Sequence, residues 1–345
     1  MTLVPEPFDF PPVDYTAWIE KVKAELKGKS ISDFDYTWDG VRISPFEIPV
    51  LPPFMDSSRK DNSWKVGSYI DSRSPSSNAL LLKALNEGAA SIDLRIVGAT
   101  DWSALFKKVN LEWIHLNLRF EHPGILKSFI QYIAESGQQA QGSIRIINTA
   151  AGETYQEFSP LIKGFRLLNY EVTHQDNRHS LATIFHQITQ DLEFYSKKLD
   201  PMEMLSHVAL HISGQNDLLL NTSLVRAIRL LWRQLMNSAG LETGYPEVYI
   251  IAHIPDDPSQ NQYIRSGLVA ISLILGGIDE LFIESPDRNN NQGRYGRMIQ
   301  HIFVQEAGLD KVADPLSGSR VVEYLTQLMV QRVWNESLRL DQIKK

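Results

Sequence analysis

Apolar positions along the chain follow two alternating rhythms. From about residue 75 onward, short apolar and β-branched runs alternate with longer stretches whose apolar positions return every three or four residues. The runs Ser91–Ile96, Trp113–Phe120, Ser143–Ala150, Phe165–His174, Val208–Gln215, Glu247–Pro255, Glu280–Ser285 and Lys311–Pro315 read as strands. Helical periodicity is clearest over Ser180–Leu199, Leu219–Ala239, Asn261–Leu275, Arg294–Ala307 and Ser319–Leu338. Gly152 and Pro160 leave room for only a poor helix over Ala151–Gly164. Eight strands with helical crossovers, and no glycine-rich fingerprint after the first, predict an α/β fold. The expected form is a closed (β/α)8 TIM barrel rather than an open doubly wound sheet.

The leading residues keep neither rhythm for long. Pro5, Pro7, Pro11 and Pro12 open an extended arm, and Asp14 then starts a short amphipathic helix. Trp18, Val22 and Leu26 share one stripe of that helix, and Gly28 ends it. Pro45, Pro49, Pro52 and Pro53 follow, and a stretch missing so many donors does not form a central strand. The expected organisation is an N-terminal arm and helix over residues 1–75, wrapping another surface, and a barrel over residues 76–345.

Strand alternation predicts what lines the barrel axis. If Ile92, Leu94 and Ile96 face the helices, Asp93 and Arg95 point inward. The same reasoning turns His115, Asn117 and Arg119 inward on the second strand, Arg145 on the third, Asn169 and Glu171 on the fourth, and His211 on the fifth. An interior this charged has to be paired or solvated, because an isolated buried charge costs several kcal/mol. Two readings compete: a polar bore that accepts an anionic ligand such as an acyl-CoA tail, and a bore plugged by arginine ion pairs. Buried arginine pairs are usually structural, which favours the plug. His253 falls near the C-terminal end of the sixth strand, where barrel enzymes place their chemistry, with Asp256 and Asp257 just beyond. A general base is one reading. Carboxylates that cap the next helix are the other, and the favoured one.

Composition narrows the function classes. Thirty-four basic against 41 acidic residues give a net charge of −7 over 345 residues, which argues against a nucleic-acid partner. With no cysteine there is no disulfide, thiolate zinc site or cysteine nucleophile. No H-E-x-x-H segment, P-loop, G-x-S-x-G or dinucleotide fingerprint occurs, and no metal is expected. The longest apolar run, Leu268 to Gly277, is far short of the roughly 20 residues of a membrane span. No secretory leader is visible, so no membrane association and a cytoplasmic location are expected.

Three stretches carry a family resemblance. Asp314-Pro-Leu-Ser-Gly-Ser-Arg-Val-Val-Glu-Tyr-Leu-Thr326 resembles the D-P-x-x-G-S-x-x-V-E-x-L-T segment of cobalamin-dependent acyl-CoA mutases of the methylmalonyl-CoA mutase type. Arg294-Tyr-Gly-Arg-Met-Ile-Gln300 is similar to that family's R-x-x-R-N-T-Q helix start, and Leu224 to Trp232 to its K-x-R-A-x-R-x-L-W helix. Arg265 matches an arginine of the family's sixth helix. The family residues carried over are thus Arg265, Arg294, Arg297, Gln300, Asp314, Gly318 and Glu323. The resemblance implies a (β/α)8 barrel, an acyl-CoA ligand and adenosylcobalamin.

Departures from the family pattern shape the functional expectation. No D-x-H-x-x-G cobalamin-ligating motif occurs in these 345 residues. The tyrosine expected shortly before Trp64 is missing, with Arg59 nearest its place, and the family's histidine-rich loop reads Glu284-Ser-Pro-Asp-Arg-Asn-Asn-Asn here. His174 falls near the family's catalytic histidine but without its flanking residues. These losses resemble the non-catalytic small subunit of heterodimeric mutases. The expectation is a catalytically silent barrel that binds no cofactor itself and partners a cobalamin-binding large subunit. The alternatives are an active split mutase that borrows cobalamin from a separate subunit, with His174 and His253 as candidate catalytic residues, and an acyl-CoA-binding pseudoenzyme.

Overall fold

A computed structural model describes residues 14–44, 59–173, 176–196, 200–256, 261–284 and 293–343. The chain divides into two compact units, Met1–Leu51 and Pro52–Lys345. In the first unit, helix α1 (Tyr15–Glu25) starts where expected, with Asp14 accepting from the Ala17 N–H at 2.8 Å as its N-cap. An antiparallel hairpin follows, β1 (Tyr36–Trp38) and β2 (Val41–Ile43). Asp39 and Gly40 make its turn, both at positive φ, which is what a two-residue turn matched to strand twist requires. The proline clusters at 5–12 and 45–53 lie outside the described residues.

The second unit is an all-parallel barrel. Its strands are β3 (Lys65–Asp71), β4 (Ser91–Ile96), β5 (His115–Phe120), β6 (Gln141–Ile146), β7 (Phe165–Arg166), β8 (Leu168–Val172), β9 (Val208–Ser213), β10 (Tyr249–Ile254) and β11 (Glu280–Ile283). They pair in the order β7-β6-β5-β4-β3-β11-β10-β9-β8. The two ends of that order, β7 and β8, are one stretch of chain interrupted only at Leu167. Phe165 and Arg166 pair with β6, and Leu168–Val172 pair with β9. Nine segments therefore fill the eight positions of a ring with a seam at Leu167. The Asn169 amide bridges the seam, donating to Ile144 O at 2.8 Å and to Arg166 O at 2.9 Å.

The helices are α2 (Ser77–Asn86), α3 (Trp102–Leu105), α4 (Pro123–Ser136), α5 (Ala151–Phe158), α6 (Asn177–Tyr195), α7 (Pro201–Ser206), α8 (Leu218–Ser238), α9 (Gln262–Gly276), α10 (Arg294–Gln305) and α11 (Arg320–Ile343). α11 packs against both α6 and α8. The outward strand residues Ile92, Leu94, Ile96, Leu116, Leu118, Ile144 and Leu210 are fully buried or nearly so beneath this shell. Each contributes roughly 1.5–3 kcal/mol by leaving water.

Two strand expectations are corrected. The first barrel strand is β3, in residues assigned from sequence to the arm, and Lys311–Pro315 is not a strand. Gly67 and Ser68 interrupt the apolar alternation of β3, which hides it behind the proline-rich stretch. Gly67 is needed there, because a Cβ would lie 2.4 Å from Leu281 O on β11. Lys311–Pro315 carries an exposed Val312 and ends in a turn tied down by Asp314, so its short apolar content never meets a sheet. The strand expected from Trp113 begins at His115, after a short 3-10 turn over Leu111–Trp113 that leaves Trp113 exposed.

Candidate functional site: the barrel axis and its mouth

Alternation along the strands turns one residue in two toward the axis, and the register stacks them in levels. At the N-terminal end, Glu280 opposes Lys65 on β3 and Ile251 on β10. The Glu280 carboxylate is fully buried and accepts from four side chains. One oxygen takes His115 Nδ1 at 2.8 Å and the Tyr249 hydroxyl at 2.7 Å. The other takes the Ser91 hydroxyl at 2.6 Å and the Asn117 amide at 2.5 Å. Burial pushes this carboxyl up, but the hydrogen bonds from His115, Ser91 and Tyr249 outweigh it and hold it at about 2. Lys65 Nζ donates to the Tyr249 hydroxyl at 3.1 Å, and the Arg166 guanidinium lies 3.7 Å from the Tyr249 ring centroid.

The middle of the axis is aromatic. Phe282 is fully buried and stacks on His253 with ring centroids 5.4 Å apart, and it meets Tyr69 at the same separation. His211 stacks on the other side of His253 at 5.4 Å. A single hydrogen-bonded chain runs through these rings. The Tyr69 hydroxyl meets His253 Nδ1 at 2.8 Å, His253 Nε2 meets His211 Nδ1 at 3.1 Å, and His211 Nε2 meets Asn169 Oδ1 at 2.9 Å.

Proton positions in this chain follow from its end. The Asn169 amide nitrogen already donates to two carbonyls across the seam, so Oδ1 is the atom facing His211 and can only accept. His211 is therefore protonated at Nε2 and accepts at Nδ1 from His253 Nε2–H. His253 Nδ1 in turn accepts from the Tyr69 hydroxyl. Both imidazoles are neutral. Burial lowers His253 to about 3, with Arg119 and Arg145 adding to the effect, and burial likewise lowers His211 well below its ordinary value. Burial raises Tyr69 well above the ordinary phenol value.

Above the aromatics lies the mouth. Arg95, Arg119 and Arg145 occupy one register level on β4, β5 and β6, next to the last residue of each strand. Arg119 pairs with the buried Asp93, Arg95 with Glu121 at 2.8 Å, and Arg145 with Glu171 at 2.8 Å. Burial raises the Asp93 carboxyl, and Arg119 opposes the rise. The arginines do not plug the bore, as sequence reasoning favoured. Their place at the strand ends sets them around an open basin of about 450 Å³, and rings fill the axis below. Glu280, Tyr69 and Tyr249 were missed from sequence. Tyr69 was hidden in the unrecognised strand, and Glu280 was read only as a strand start.

The remaining candidates fall elsewhere. His174 lies outside the described residues, as do Asp257 and most of the loop after Glu284. Asp256 is not bonded to His253, whose nitrogens are both taken by Tyr69 and His211. Nor does Asp256 cap the next helix: the N-cap of α9 is Asn261, which makes no side-chain cap bond. Arg265 lines a separate hollow of about 300 Å³ with Gln215, Tyr263, Glu284 and Tyr295. Among the described residues no cluster of three or more His, Asp or Glu could hold a metal ion, and no helix is long and apolar enough to cross a membrane.

Comparison with known proteins bears on this barrel. Residues 192–343 match the family model described as methylmalonyl-CoA mutase. The chain is 22% identical to the methylmalonyl-CoA mutase small subunit of Porphyromonas gingivalis, covering 96% of this chain and 63% of that one. It is 22% identical to methylmalonyl-CoA mutase of Cereibacter sphaeroides, over 93% of this chain and 57% of the relative. A shorter match, 30% identical over 122 residues, is to methylmalonyl-CoA mutase of Rhizobium meliloti, covering 32% of this chain and 17% of that one.

Over residues 192–343 the chain is similar to the methylmalonyl-CoA mutase family.

The stretches that resemble mutase motifs lie mainly outside the axis, where they brace the shell. Arg226 on α8, from the Leu224–Trp232 motif, is buried and pairs with Asp314 and, at 2.6 Å, with Glu323 on α11. Gly318, at a φ of +82°, presents its N–H to the same Glu323 oxygen at 3.1 Å. One guanidinium thus ties the D-P-x-x-G-S-x-x-V-E turn to the barrel wall. On α10, Arg297 is buried and donates to the Ser68 hydroxyl at 2.8 Å and to Glu87. Gln300, fully buried, accepts from the Trp64 indole at 3.1 Å, while Arg294 is exposed at the helix start. The chain spans 63% and 57% of the length of the P. gingivalis and C. sphaeroides relatives.

Proposed function

We propose that this chain is a small-subunit-type mutase barrel, catalytically silent by itself, which acts as the structural partner of a cobalamin-binding large subunit. The complex would interconvert methylmalonyl-CoA and succinyl-CoA, and the N-terminal unit would contribute to the subunit contact. The observation that carries the reading is the filled axis. Phe282, Tyr69, His253 and His211 occupy the space that an acyl-CoA arm threaded along the barrel would need. The small-subunit name of the P. gingivalis relative supports it as well.

Adenosylcobalamin is the cofactor the family implies, and the residues present do not fit it. No D-x-H-x-x-G motif occurs that would supply a ligating imidazole. On the axis, His211 and His253 have both ring nitrogens engaged in hydrogen bonds. No step through the cofactor is assigned to this chain.

The test is co-purification of the tagged chain with a cobalamin-binding mutase large subunit of its own organism, followed by an isomerase assay. Turnover by the complex, with neither turnover nor adenosylcobalamin binding by the chain alone, is the expected result. Turnover on adding only a free-standing cobalamin-binding domain would instead establish the split-enzyme alternative. Saturable acyl-CoA binding by the chain alone, lost on His253→Ala, would mean that the axis opens.

A further inference from the structure

The mouth carries a donor set that the axial chain does not use. Arg95, Arg119 and Arg145 stand side by side on three neighbouring parallel strands, which lie about 4.8 Å apart. Three cations in one row repel unless anions lie among them. Each is met by one carboxylate among the described residues, yet a guanidinium offers five N–H donors. Among the described residues the buried Arg119 Nε–H meets no acceptor. The same basin is walled by Asn148, Thr149 and the first turn of α5. The N-cap of α5 is Ala150, which has no side-chain acceptor for the first N–H groups, and Glu153 is the one acidic residue of that first turn.

The three carboxylates are not equivalent. Asp93 is sealed beneath Arg119, and its side chain is only 2% exposed. Glu171 lines the basin itself with a side chain 65% exposed, holding one oxygen against Arg145 Nη1. It sits as an exchangeable anion would.

We propose that this basin is a binding site for a small organic phosphate monoester, whose phosphoryl oxygens take the Arg145 and Arg95 forks and displace Glu171. A phosphoryl group presents three acceptor oxygens and up to two negative charges, which suits several forks plus a helix N-terminus better than one planar carboxylate does. A volume of about 450 Å³ admits such a group with a short organic tail. The site is independent of the subunit role proposed above and stands or falls separately from it.

The experiment is calorimetric titration of the full chain with glycerol 3-phosphate at fixed ionic strength, with succinate as the carboxylate arm. Saturable phosphate-ester binding is expected, with succinate at least tenfold weaker. Arg145→Gln should weaken it tenfold or more, and Arg95→Gln, at a more exposed side chain, provides a second variant should the first fold poorly. Glu171→Gln should tighten binding several-fold. Glu112→Gln makes the same charge change at the opposite end of the barrel and should leave it unaltered. Absence of saturation, indifference to both arginine substitutions, or equal tightening by Glu112→Gln would overturn the site. Succinate binding as tightly as the ester would overturn its phosphoryl specificity.

Discussion

His211 Nε2 donates to Asn169 Oδ1 at 2.9 Å, and this one bond orients every proton from Asn169 back to the Tyr69 hydroxyl. An amide oxygen cannot pass a proton on, so the chain holds the rings in place without relaying charge along the axis. The neutral state of both histidines has a pH signature. His253 falls from 6.5 to about 3 on folding, so the unfolded chain takes up its proton first as the pH drops. Stability is untouched by this group above about pH 6.5 and declines toward pH 3, with a limiting slope of about 1.4 kcal/mol per pH unit. Urea unfolding from pH 7 to pH 5 should show that loss in the wild type and a flatter profile in His253→Asn. Nitrogen-15 shifts at pH 5 should show both imidazoles as neutral Nε2–H tautomers. An imidazolium at either position would refute the ordering.

Glu280 works in the opposite direction to a solvated acid. Its carboxyl, held at about 2 against an ordinary 4.5, keeps its stabilising contribution above pH 4.5 and loses it as the pH falls toward 2. Glu280→Gln keeps the shape but turns an NH2 group toward one pair of donors, His115 with Tyr249 or Ser91 with Asn117. A loss of about 3–5 kcal/mol is expected, as for other broken buried pairs, and equilibrium unfolding measures it.

Arg226 bridges two helices and a turn through Asp314 and Glu323. Arg226→Ala strands two carboxylates, one of them almost wholly buried, and should cost about 3–5 kcal/mol. Arg226→Lys should recover little, because one ammonium cannot serve both acids as the planar fork does. Thermal unfolding of the two variants, with an Arg226/Glu323 double-mutant cycle, distinguishes this clamp from a simple packing defect.

Deleting residues 1–51 removes one compact unit. On the subunit reading, capture of the large subunit should fall at least tenfold while the barrel keeps its thermal transition. Undiminished capture by the truncated chain would end the assignment of that contact to the N-terminal unit.

The barrel was legible because seven of the eight ring positions announce themselves as short apolar runs between helical stretches. Inward-facing charges such as Arg119 and Glu171 followed from alternation alone. β3 was not legible, because its glycine and serine exist to admit Phe282 and Arg297, and those contacts come from distant parts of the chain. Losing β3 meant losing Tyr69, and with it the axial hydrogen-bonded chain. Glu280 escaped for a related reason, since its four donors arrive from three other strands. The Asp39-Gly40 hairpin did carry a local signal, an Asp-Gly pair between Tyr36-Thr-Trp38 and Val41-Arg-Ile43, which the surrounding prolines masked.

The seam at Leu167 gives the barrel a weak point with a chemical consequence. Asn169 is both the latch across that gap and the terminus that keeps His211 from carrying charge. Parting β6 from the β7–β8 stretch would take away Ile144 O, one of the amide's two acceptors, and admit solvent to an imidazole otherwise sealed from it. Opening the ring and acidifying its interior are therefore a single event, and low pH should unfasten this barrel from one identifiable place.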